Sequence, residues 1–174
     1  IVSLVRLEMR YSKYLTVEEA LNDTLSRILA ISNVHELLTR DVLDTLSFKK
    51  VTESILTYTQ QSVVPPGKTI QTVIHGDDFV LPLARATSMA LVLNELVQNA
   101  VEHGFKTLND GRIQVQLKEE ETMMRVAVLN DGARLPEGFK PTGTDRLGLS
   151  IVETLVRGDL QGTFTLENPV YDDR

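Results

Sequence analysis

Two side chains in the run Leu91-Val92-Leu93-Asn94-Glu95-Leu96-Val97-Gln98-Asn99-Ala100-Val101-Glu102-His103-Gly104 can do chemistry together. Glu95 and Asn99 stand one helical turn apart, and Glu102 or His103 continues the same row. A carboxylate followed by a neutral amide suits a magnesium–triphosphate site. The Asn99 oxygen can ligate a hard cation without placing more negative charge beside phosphates. Glu95 can orient or deprotonate an attacking nucleophile. The alternative is a solvated polar stripe on an amphipathic helix, buried through Leu93, Leu96, Val97, Ala100 and Val101.

Two further stretches carry weaker signals. Asn130-Asp131-Gly132-Ala133-Arg134-Leu135-Pro136 leaves the end of an apolar strand. A short acceptor side chain followed by glycine lets a purine approach the backbone closely, although an ordinary Asn-Asp-Gly turn reads the same way. Arg146-Leu147-Gly148-Leu149-Ser150 brings a glycine into a helix N-terminus. Free amides and the helix dipole favour phosphate there; a helix merely preceded by glycine is the alternative.

The elements that must position these residues are legible in the periodicity. Leu4, Leu7, Tyr11 and Tyr14 trace one helical seam, and Thr16 with Glu19 forms a capping box that opens a second helix. On that helix Leu21, Ile28 and His35 fall seven apart, with Leu25, Ile31, Ser32 and Leu38 between them. Such a hairpin cannot cover both apolar stripes alone, so it pairs with a second copy as a four-helix bundle. Ser47 can cap a third helix with Val51, Ile55 and Tyr58 on one face, ended by Pro65-Pro66-Gly67. Residues 69–74 read as a strand, and Pro82 stands near the first turn of the long helix. That helix runs to His103, with Gly104 as its C-cap. Ile113, Val115 and Leu117 alternate with polar residues in a half-buried strand. Residues 123–130 form a more apolar, central strand, residues 149–156 a helix, and residues 163–167 a last strand with Phe164 and Leu166 on one face. The expected fold class is α+β: residues 1–42 as a helical hairpin, then residues 43–174 as an α/β sandwich with a mixed sheet.

Composition removes other classes. The 174 residues contain no cysteine, which excludes disulfide frameworks, thiolate metal sites and cysteine nucleophiles. A formal charge of −6 provides no basic face for direct nucleic-acid binding. No apolar run approaches the roughly 20 residues that cross a bilayer, so this stretch makes no membrane contact. Starting at Ile1 inside a helical pattern, the chain reads as a piece of something longer.

The order and spacing of the three motifs resemble the nucleotide-binding (Bergerat) domain of the GHKL ATPases: gyrases, mismatch-repair ATPases, heat-shock chaperones and sensor histidine kinases. Glu95 and Asn99 match the asparagine box, residues 130–136 the first glycine box and residues 147–149 the second. The likeness covers about residues 47–168. With the hairpin included, the chain resembles a two-component sensor histidine kinase. Residues 28–38 and the lid entrance Leu135-Pro136-Glu137-Gly138-Phe139 are similar to the short-lid subgroup that includes ethanolamine-type sensors.

The resemblance implies phosphoryl transfer from ATP to a histidine, then to an aspartate on a response-regulator receiver domain. The cofactors implied are ATP and Mg2+. Asn99 would hold the magnesium, Glu95 would polarise the attacking group and Asn130 would meet the adenine amino group. Gly132, Gly148 and Leu149 would shape the base pocket and phosphate end, and His103 is placed for phosphate contact. Residues 1–40 would make a homodimer. The location implied is cytoplasmic, with any membrane anchor of the parent lying upstream.

Four residues depart from the family pattern: Asn130 where most members have Asp, Arg134 and Arg146 where they have glycine, and Glu102 where many have Lys. Of the three histidines, His35 reads as a core or interface residue and His75 as a strand-end surface residue. Residues 1–10 resemble the helix segment C-terminal to the family's acceptor motif, which places the phosphoacceptor upstream of Ile1. The competing expectation is a degenerate, non-catalytic nucleotide domain that acts by dimerising and docking a regulator.

Overall fold

The computed structural model describes residues 45–139 and 147–168, together with residues 21, 24, 25, 27–29 and 32, which are helical. The seam of Leu4, Leu7, Tyr11 and Tyr14, the Thr16–Glu19 capping box, His35, the boundary near residue 43 and residues 140–146 lie outside the described residues.

The order is β1 (Thr45–Ser47), α1 (Phe48–Tyr58), β2 (Thr69–Gly76), β3 (Val80–Pro82), α2 (Leu83–Asn99), β4 (Asp110–Glu120), β5 (Met123–Asn130) and α3 (Leu147–Gly158). Single π-helical turns, Thr59–Val63 and Ala100–Gly104, close α1 and α2. The main sheet runs β2-β4-β5, with β2 parallel to β4 and β4 antiparallel to β5. It is therefore mixed, as expected for an α+β sandwich. Because β2 and β4 run parallel, the chain must cross over between them, and α2 is the crossover element.

Local sequence explains each element. Ser47 caps α1: its hydroxyl accepts the Lys50 amide at 3.2 Å and donates to Asp78. Val51 and Ile55 are buried and Tyr58 is half-buried, as the periodicity requires. In β4, Ile113, Val115 and Leu117 are at most 2% exposed while their neighbours face outward, the alternation of a one-sided strand. Each contributes roughly 1.5–3 kcal/mol by burial. Helix α2 is buried on two sides. Leu93, Val97 and Ala100 enter the core shared with α1 and the sheet, whereas Val92 and Leu96 pack against Val152, Leu155 and Val156 of α3.

The fold differs from the sequence expectation in four places. Strands β1 and β3 pair antiparallel through Leu46 and Leu81, both buried, next to the stacked rings of Phe48 and Phe79. Three residues are too few to show a period. Strand β4, not β5, is central; among the described residues β5 forms the sheet edge, with Met123, Met124 and Leu129 exposed. Residues 163–167 alternate in burial as predicted but join no ladder among the described residues, and Phe164 packs on the Val92–Val152–Val156 cluster. Gly104 does not adopt the left-handed conformation of a helix cap. It is glycine for a different reason, found at the site.

Candidate functional site

The three motifs converge on the C-terminal half of α2. Glu95 is 3% exposed and Asn99 is half-buried, whereas Glu102 and His103 are exposed, so the row is solvated only at its C-terminal end. The Asn99 side-chain amide donates to the Glu95 carbonyl at 2.8 Å. That bond uses the nitrogen end of the amide and leaves the oxygen end for a cation.

The second glycine box closes on these two residues. A Cβ on Gly148 would lie 2.6 Å from Glu95 Oε2 and 3.4 Å from Asn99 Nδ2. Only glycine lets the start of α3 approach the asparagine box so closely. Leu149, the next residue, is buried.

The first glycine box meets the end of the same helix. The Ala133 amide donates to the Gly104 carbonyl at 2.7 Å, and the Gly132 amide donates to Asn130 Oδ1 at 3.1 Å. A Cβ on Gly104 would come 2.8 Å from Asn130 Oδ1, and one on Gly132 would come 2.3 Å from the Gly104 oxygen. Gly104 is thus required by contact with Asn130, not by its backbone angles. The carbonyl-type oxygen of Asn130 keeps a second lone pair for another donor. Asp131 turns the other way, accepting the Arg112 amide at 2.6 Å.

These residues fit Mg-ATP. Glycines bring the loop after β5 and the start of α3 into close contact with the two ends of a helix face that carries one carboxylate and one amide oxygen outside the Asn99–Glu95 hydrogen bond. No group of three or more His, Cys, Asp or Glu among the described residues could hold a metal alone. A cation on Asn99 would complete its shell with phosphate oxygens and water.

The family model described as "Histidine kinase-, DNA gyrase B-, and HSP90-like ATPase" matches residues 84–172, the span that contains all three motifs. A second model, described as "Histidine kinase", matches residues 1–63. The chain belongs to the two-component sensor histidine kinases. The chain is 32% identical to sensor histidine kinase PdtaS of Mycobacterium tuberculosis over 169 residues, which is 97% of this chain and 34% of that protein. The chain therefore spans about a third of the length of the curated relatives it matches first. Among solved structures, the Erythrobacter litoralis EL346 blue-light activated histidine kinase superposes with a TM-score of 0.65 at 23% identity, covering 76% of this chain and 46% of that one. The catalytic domain of histidine kinase ThkA gives a TM-score of 0.53 at 24% identity, covering 66% and 79%. Both likenesses show the fold.

In this chain the predicted residues Glu95, Asn99, Gly148 and Leu149 come together on α2 and the start of α3. Asn130 and Gly132 join them at the other end, beside Gly104. His103 and Glu102 are exposed on the π-helical turn, Arg134 is exposed in the loop, and His75 is exposed at the end of β2, as expected. No helix among the described residues is long and apolar enough to cross a membrane.

Two residues escaped sequence reasoning. Arg27 forms a forked ion pair with Glu95, through Nε–Oε1 at 2.5 Å and Nη2–Oε2 at 3.2 Å. A pairing across 68 residues leaves no local signal. Asn168 accepts the Leu135 amide at 2.8 Å and donates to the Leu135 carbonyl at 3.0 Å, which ties the lid entrance to the chain after α3. An Asn at the end of an alternating stretch is an ordinary turn signal and discloses no such partner.

Proposed function

We propose that residues 43–174 bind Mg-ATP and catalyse phosphoryl transfer to a histidine, and that residues 1–42 belong to the dimerisation helices. The observation that carries this reading is Gly148, whose missing side chain lets α3 close on Glu95 and Asn99 together. The sharing of one core by Leu46, Phe48, Val51, Ile55, α2 and the sheet supports placing the start of the catalytic domain before residue 45.

When bound, ATP supplies the phosphoryl group and magnesium neutralises charge developing on it. The chain's own residues do the positioning. Asn99 holds the cation through its amide oxygen, oriented by the hydrogen bond to the Glu95 carbonyl. Glu95 accepts the N–H of the attacking imidazole and so raises its nucleophilicity. Asn130 accepts the adenine amino group, with Gly132 and Gly104 keeping the backbone close beneath it. Gly148 and Leu149 present the N-terminus of α3 to phosphate, and His103 is exposed on the π-helical turn beside Gly104, open to a phosphate contact.

The acceptor is a histidine of the parent protein's first dimerisation helix, ahead of Ile1, and the relay continues to a receiver-domain aspartate. Leu21, Leu25 and Ile28 are exposed at helical spacing, which supports homodimerisation through this region. The test is autophosphorylation of the parent kinase with γ-labelled ATP, in which Glu95→Gln removes labelling and the native protein becomes labelled on that histidine. Binding without any labelling would favour the second reading, a domain that dimerises and docks a regulator without turnover. The neutral Asn130 is the observation behind that reading.

A further inference from the structure

The forked pair between Arg27 and Glu95 joins a helical residue ahead of the described sheet domain to α2. Both side chains are almost fully buried, at 5% and 4% exposure. Nε and Nη2 of one guanidinium take both oxygens of one carboxylate. A carboxylate held in this way has its charge neutralised and its best acceptor directions filled, so it is poorly placed to accept from another donor.

The helix that carries Arg27 has two distinct faces. Leu21, Leu25 and Ile28 are 63%, 53% and 41% exposed and form one stripe. At about 100° per residue, Arg27 points about 120° around the helix from that stripe. The same helix can therefore seat its apolar stripe on a partner copy while Arg27 reaches Glu95.

We propose that Arg27 is a regulatory clasp: while the helix is seated, its guanidinium withholds Glu95 from the attacking histidine, and displacement of the helix releases the carboxylate. The clasp rests on the proposed role of Glu95 toward that histidine. Removing one partner from a buried ion pair leaves an uncompensated charge, which is costly. Release must then be an exchange, in which another N–H donor replaces the guanidinium. The imidazole N–H of the acceptor histidine is such a donor, so arrival of the acceptor and departure of Arg27 are one coupled event.

The test is the initial rate of autophosphorylation of the full-length kinase at saturating Mg-ATP, for the native protein, Arg27→Gln, Arg27→Lys and Glu95→Gln. Arg27→Gln is expected to raise the rate at least threefold with the KM for ATP unchanged. Arg27→Lys keeps a point charge but loses the planar fork, and is expected to fall between Arg27→Gln and the native protein. If Arg27→Gln does not fold, Arg27→Lys decides. A rate that is unchanged or lowered in the folded variants overturns the clasp. Glu95→Gln separates the two claims: if it leaves the rate intact, the catalytic role of Glu95 fails. If it abolishes the rate while the Arg27 variants give no increase, only the clasp fails.

Discussion

Gly132 and Gly104 touch where neither can carry a side chain: a Cβ on Gly132 would sit 2.3 Å from the Gly104 carbonyl oxygen. This contact, reinforced by the 2.7 Å bond from the Ala133 amide, locks the loop after β5 to the end of α2. The adenine end of the proposed site is thereby fixed to the end of α2.

Gly132→Ala forces backbone against backbone, which a small rotamer change cannot relieve. The expected loss is about 1–3 kcal/mol, the usual cost of overpacking, together with at least a tenfold drop in ATP affinity. Urea denaturation and nucleotide titration measure the two effects. Native stability in the variant would contradict the contact.

Gly148→Ala meets a side chain instead, the Glu95 carboxylate at 2.6 Å. That carboxylate is clamped by Arg27, so it cannot swing aside freely. The start of α3 is expected to move outward. Nucleotide affinity then falls at least tenfold with only a small loss of stability, since Val152 and Val156 still pack on Val92.

Much of this arrangement is legible in the sequence. The alternation of Ile113, Val115 and Leu117 and the spacing of Glu95 and Asn99 report burial and helical phase, and both are local properties. Whatever depends on a distant partner stays hidden. Gly104 looks like a helix cap until Asn130 is seen above it. Glu95 looks solvated until Arg27 pairs with it and Gly148 closes on it. Strand β5 looks central because it is apolar, but pairing order is set by the parallel crossover of β2 onto β4.

Asn168→Ala removes both hydrogen bonds to the Leu135 backbone. At about 0.5–1.5 kcal/mol each, the lid entrance should open more readily. Hydrogen exchange of the Leu135 amide is expected to quicken roughly tenfold, with exchange in β4 unchanged. Equal quickening at both places would mean that Asn168 stabilises the whole domain.

Asn130→Asp keeps the acceptor for the Gly132 amide and adds charge assistance toward the adenine amino group. ATP affinity is expected to rise by about three- to tenfold. Guanine nucleotides, which present a carbonyl at that position, should not gain. A gain shared by both nucleotides would place Asn130 away from the base.

The most direct measurement of the proposed site is a calorimetric titration of a non-hydrolysable ATP analogue into this chain, with and without magnesium, beside Asn99→Ala. Binding that requires magnesium and is lost in the variant is the predicted result. Absence of binding up to millimolar nucleotide, in a chain shown to be folded, would contradict it.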